Sequence, residues 1–103
     1  MKTQLPLPTL QPELFATYSQ AFRALGHPVR LQIFFFLVTK GDQGANVSEI
    51  KACVDIPDST LSHHLDTLRQ AELLFSTRCQ RWIYCRVNTD MTRDLVRILT
   101  DCC

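Results

Sequence analysis

The sequence predicts a mainly α-helical chain with one small β-hairpin, a winged helix-turn-helix of about five helices and a two-stranded wing. Three observations predict it. Residues 58 to 71 read as a helix carrying Ser59-Thr60-Leu61-Ser62-His63-His64-Leu65, the tight turn Asp55-Ile56-Pro57 joins it to a preceding helix, and two strands then flank a basic turn, Arg78-Cys79-Gln80-Arg81.

Length and composition permit that fold. One hundred and three residues make a single domain, with 46% hydrophobic residues to build a core and 20% charged residues to keep it soluble. So short a chain buries a modest fraction of its surface, which makes pairing through additional apolar helices an effective source of stability. The net charge of +1 says little about nucleic acid, but its distribution says more. Residues 69 to 97 hold Arg69, Arg78, Arg81, Arg86, Arg93 and Arg97 against Glu72, Asp90 and Asp94, a local basic surface able to neutralise phosphates. The longest apolar run, Ile33 to Val38, is too short to cross a bilayer, and no leader-like segment opens the chain, so a cytoplasmic protein without a membrane partner is expected. Cysteines 53, 79, 85, 102 and 103 are odd in number and lack a disulfide framework, so thiols in a reducing compartment are expected.

Pro6, Pro8 and Pro12 mark residues 1–12 as an extended arm, because proline removes a backbone donor and restricts its predecessor; the folded domain is expected over 13–103. Leu14, Phe15, Tyr18, Ala21, Phe22 and Leu25 follow three- and four-residue steps and define helix one, which Gly26 stops. Pro28 opens helix two, whose Val29, Leu31, Ile33, Phe34, Leu37 and Val38 wrap much of its circumference and place it at the centre. Gly41 to Gly44 form a loop. Asn46 and Glu49 make an amide-headed capping box that starts helix three at about Val47, with Val47, Ile50 and Val54 inward. Pro57 and Asp58 favour the start of helix four, in which Leu61, Leu65 and Leu68 face the core and Ser59, Ser62, His63 and Asp66 face solvent. Beyond Leu74 the period becomes two, Ile83, Cys85 and Val87 alternating with Trp82, Tyr84 and Arg86. Asn88 or Thr89 caps a last helix striped by Met91, Leu95, Ile98, Leu99 and Cys102; little core remains for it, so it is expected to pair with a second copy in a homodimer.

Hydroxyls and imidazoles near a helix N-terminus are short enough to meet phosphates and base edges in a major groove. Arg78 and Arg81 stand where a hairpin tip meets phosphate or the minor groove. A solvated helix face is the competing reading of Ser59, Ser62 and His63, and a winged-helix module that binds protein rather than DNA is the competing reading of the fold. An enzyme is not expected: the chain has no Gly-rich phosphate loop or paired acidic motif.

Phe22-Arg23-Ala24-Leu25-Gly26-His27-Pro28-Val29-Arg30-Leu31, then Ser59 to Leu65, then Arg81-Trp82-Ile83-Tyr84 resemble the ArsR (ArsR/SmtB) family of metalloid- and metal-responsive repressors over about residues 13 to 101. The resemblance implies a homodimer paired through its first and last helices, bound to an inverted-repeat, double-stranded operator and released by an inducer. It also implies DNA contacts from Ser59, Ser62 and His63, with Asp58, on the recognition helix; Thr60 beside them and Arg78 and Arg81 at the wing turn complete the expected DNA-binding set.

Departures from the family pattern bear on the inducer. The Cys-Val-Cys box that many arsenic and cadmium sensors carry at helix three is replaced by Asn46-Val47-Ser48, and residues 88 to 103 contain no histidine for a zinc site of the last-helix type. The glycine usual in the wing turn is absent, with Cys79-Gln80 in its place. The adjacent pair Cys102-Cys103 resembles the C-terminal arsenic site of other members. Trivalent arsenic bonds three sulfurs, so this pair leaves a third ligand to Cys79, Cys85, Cys53, the other subunit or a solvent thiol. Duller readings stand beside these: Cys85 and Cys53 as small core residues, Cys79 as a loop residue, the terminal pair as a frayed end, His27 as a cap residue and His64 as a surface or phosphate-facing one. Another thiophilic metal, or redox or persulfide chemistry between thiols with no metal at all, is the alternative input.

Overall fold

The computed structural model describes residues 12–101. Helix α1 (Pro12–Leu25) turns through Gly26 and His27 into α2 (Pro28–Lys40), and a short 3-10 turn leads to β1 (Ala45–Asn46). Helices α3 (Val47–Val54) and α4 (Asp58–Gln70) form the helix-turn-helix; β2 (Leu74–Cys79) and β3 (Trp82–Val87) form the wing; α5 (Thr89–Thr100) is the last element of the described residues.

Local chemistry sets most boundaries. His27 caps α2 by accepting Val29 N–H at Nδ1, 3.2 Å, and Pro28 follows in the first turn, where a missing N–H costs nothing. Both halves of the capping box form at α3: Asn46 Oδ1 accepts Glu49 N–H and Glu49 Oε1 accepts Asn46 N–H, each at 2.9 Å. Asp55 stops α3 in the left-handed region at φ 50°, and Glu72 follows α4 in that region at φ 62°. Asn88 caps α5 through Oδ1 while its Nδ2 donates to Glu72 O at 2.8 Å, tying the end of α4 to the start of α5.

The core gathers Tyr18, Ala21 and Ala24 of α1, Ile33, Phe34 and Leu37 of α2, Ile50 of α3, Leu61, Leu65 and Leu68 of α4, and Leu74, Cys85 and Val87 of the sheet. Four features differ from the sequence reading. The inward stripe of α1 is rotated, with Ala24 inside while Phe15 and Phe22 stay exposed. Helix α2 is not enclosed within the protomer: Ile33, Phe34 and Leu37 are buried, but Leu31, Phe35 and Val38 lie open, Phe35 at 71% exposure. Helix α5 does find core to cover, burying Met91 and Leu95 and receiving the Tyr18 hydroxyl, which donates to Asp94 at 3.3 Å; Val96 and Leu99 remain outside. The sheet has three antiparallel strands in the order β1-β3-β2, because Ala45 and Asn46 pair with Cys85 and Tyr84. A two-residue strand is too short to carry an alternation that sequence could reveal.

Among the described residues no helix is long and apolar enough to cross a membrane.

Candidate DNA interface

Helix α4 presents two faces. Leu61, His64, Leu65 and Leu68 point inward, and Ser59, Thr60, Ser62, His63 and Asp66 point out, the phase a 3.6-residue period demands. The turn before it is held by Lys51, whose ammonium donates to Ile56 O and pairs with Asp58 Oδ1, both at 2.9 Å. Asp58 is therefore engaged with α3 as well as complementing the N-terminus of α4.

The wing is coupled to α4 by a polar chain. Asp66 pairs with Arg69, Arg69 Nη1 donates to Ser76 Oγ at 2.8 Å, and Ser76 Oγ lies 3.5 Å from Cys85 Sγ. Directly opposed residues of an antiparallel pair share a face. The pairs Ser76–Cys85 and Arg78–Ile83 thus lie on the side met by α4, and Thr77–Tyr84 and Cys79–Trp82 lie on the other. Arg78 therefore emerges on the same side as the recognition helix. Arg81, at the tip, stacks 5.6 Å from the Trp82 ring, and both are exposed. The turn closes without glycine because Gln80 takes φ 57°, a left-handed backbone that a non-glycine residue adopts at a cost.

Of the residues singled out in the sequence, Ser59, Thr60, Ser62, His63, Arg78 and Arg81 are exposed, and Asp58 stands at the α4 N-terminus. Cys85 is fully buried and Cys53 half-buried at the end of α3, while Cys79 is exposed; Cys102 and Cys103 lie outside the described residues. The start of α3 does not fit a metal, since Asn46 is occupied as a cap. Among the described residues no group of three histidine, cysteine or acidic side chains could hold one.

His64 corrects the surface reading given to it. It is buried, its Nδ1 lies 3.2 Å from Arg30 Nη1, and its ring packs 4.7 Å from His27. Because a guanidinium only donates, Nδ1 must accept, which requires a neutral ring here. Burial, then the neighbouring His27, Arg30 and His63, push its pKa below the ordinary 6.5. The signal was legible: position 64 falls in phase with Leu61 and Leu68.

The unfolded chain takes up the His64 proton first as pH falls, so the stability contributed by the neutral ring is present above about pH 6.5 and is lost on acidification towards the lower folded value. Thermal melts at pH 7.5 and 5.5 should show a larger drop for wild type than for His64→Asn; equal drops would remove His64 from the acid response.

A core shared by all five helices and the sheet, a helix-turn-helix with a polar outer face and a basic hairpin beside it define a winged-helix transcriptional regulator. The comparisons with known proteins agree. The helix-turn-helix domain family matches residues 25–74. The chain is 32% identical over 78 residues to the transcriptional repressor SdpR of Bacillus subtilis strain 168, covering 76% of this chain and 83% of that one. It is 30% identical over 84 residues to the arsenical resistance operon repressor of the same organism, covering 82% and 78%. In fold it is similar to the homodimeric winged helix-turn-helix DNA-binding domain Mb0332 of Mycobacterium bovis, with TM-score 0.73, 24% identity, and 98% and 91% coverage. The chain belongs to the ArsR (ArsR/SmtB) family of winged-helix transcriptional repressors.

Proposed function

We propose that the protein represses transcription as a homodimer that reads an inverted-repeat operator with α4 and clasps its backbone with the wing, and that a thiophilic ion, trivalent arsenic, releases it. The observation that carries the DNA half is the exposed polar face of α4, with Ser59, Ser62 and His63, beside a wing on which Arg78 and Arg81 are exposed. Pairing through α1 and α5 is supported by the exposed apolar side chains Phe15, Phe22 and Val96 on those helices and by the homodimeric state of the similar Mycobacterium bovis domain. The two α4 helices of the dimer must meet successive major grooves about 34 Å apart, so a modest shift at the dimer interface alters operator affinity.

The arsenic half is supported by the adjacent thiols Cys102 and Cys103 and by the likeness to an arsenical resistance repressor. Thiolates suit such an ion, and two of the three sulfurs come from this pair. Among the remaining cysteines, Cys79 is the exposed candidate for the third; Cys85 would have to leave the core. A coupling of roughly 1–3 kcal/mol between inducer and operator corresponds to about a 5–150-fold loss of affinity. Titrating the operator complex with arsenite, cadmium and zinc tests the proposal: arsenite should release wild type but not a Cys102→Ser/Cys103→Ser variant. If the double variant is released at the same arsenite concentration, the terminal pair is not the sensor. The exposure of Cys79 between two arginines favours a second reading, a thiol redox or persulfide switch, which mass spectrometry after peroxide or persulfide treatment separates from the first.

A further inference from the structure

Two histidines, His27 and His64, meet where the α1–α2 elbow touches the inner face of the recognition helix. Arg30, in the first turn of α2, is the hub. Its Nε donates to Ala24 O at the end of α1 at 2.7 Å, and its Nη1 donates to His64 Nδ1 on α4 at 3.2 Å. One rigid guanidinium thus joins three helices, and its planar fork fixes their mutual orientation in a way a single ammonium cannot. The His27 ring, held by its cap bond to Val29 N–H, stacks at a tilt against His64 and closes the remaining side.

His64 is adjacent in sequence to His63, whose ring centroid lies 6.0 Å away on the outer side of the helix. The rotation of α4 about its own axis sets where Ser59, Ser62 and His63 point. Apolar contacts from Leu61, Leu65 and Leu68 hold the helix down but are non-directional. Lys51 holds Asp58 at the start of α4 and Arg69 ties its end to Ser76 of the wing; between them, on the inner face, the directional bond is the one His64 accepts, through which Arg30 sets the helix's rotation.

We propose that His64 is a positioning residue for operator recognition: by accepting from Arg30 it locks the rotation of α4, so that the outward residues reach base edges in register. This rests on the operator-binding reading. Specific recognition needs that register, whereas non-specific binding to phosphates tolerates its loss.

The test uses the full chain, a duplex selected by the wild-type protein from a randomised pool, and a scrambled duplex of equal length. His64→Asn places an amide oxygen where Nδ1 accepts, and should keep the ratio of selected to scrambled affinity within about threefold of wild type. His64→Leu keeps volume without an acceptor. It should lower that ratio roughly tenfold through the selected duplex alone, the size expected for one charge-assisted hydrogen bond. Should His64→Leu fail to fold, Arg30→Lys, which keeps the charge but cannot serve Ala24 and His64 together, must lower the ratio in the same way. Equal ratios for wild type and the folded variant, or a parallel loss on both duplexes, would overturn the positioning role while leaving DNA binding intact. A wild-type protein that selects no duplex would instead sink the operator reading itself.

Discussion

Gly44→Ala is expected to destabilise the protein by about 3 kcal/mol or more, lowering its melting temperature by roughly 12–24 °C. Gly44 sits at φ 68° and ψ −161°, a region essentially confined to glycine. A Cβ there would overlap the carbonyl oxygen of Cys85, stand 3.0 Å from its carbonyl carbon and lie 3.1 Å from Arg86 Cβ. The close approach is what allows Ala45 and Asn46 to pair with β3, so the substitution attacks the third strand and the base of the wing together. The contrast is Gly41: its φ of 63° carries a backbone cost, but nothing lies within 4 Å of its added Cβ. Differential scanning calorimetry decides it, and a Gly44→Ala melting temperature within a few degrees of wild type would show that the loop relaxes freely.

Replacing Ser62 and His63 together by alanine should weaken specific operator binding by roughly 100-fold, about 2.7 kcal/mol, with little change in melting temperature. Both side chains are exposed on α4, and exposed substitutions away from caps and pairs usually shift stability by about 0.5 kcal/mol or less. Fluorescence anisotropy against the selected and scrambled duplexes checks this. Binding to the scrambled duplex should be nearly unchanged if, as proposed, the wing arginines hold the phosphates. A loss shared equally by both duplexes would assign the pair to phosphate rather than to bases.

Much of the fold was legible because its elements begin and end at residues with strong local preferences. The Asn46–Glu49 box, Pro28 after His27, and the change of period at Leu74 each specify a boundary within a few residues of chain. The outward face of α4 was legible for the same reason. Less legible were features that depend on partners distant in sequence: the pairing of Ala45 with Cys85, the reach of Arg69 to Ser76, and the bond between Arg30 and His64 across 34 positions. The exposed side of α2 was misjudged because a nearly continuous apolar circumference does not say which neighbours will arrive.

Periodicity, capping and composition act over one or two turns of chain, and they suffice to specify a winged helix-turn-helix, the outward face of α4 and the cysteines to be weighed as sensors. Tertiary packing selects the rest: that His64 accepts from Arg30, that Arg69 reaches Ser76, and that Ala45 and Asn46 form a third strand on β3 with Gly44 close against Cys85. Those outcomes depend on where a hydrogen-bond acceptor, a strand edge or a carbonyl from a remote segment comes to lie. A residue's chemistry names the partners it can take, and packing selects the one it meets.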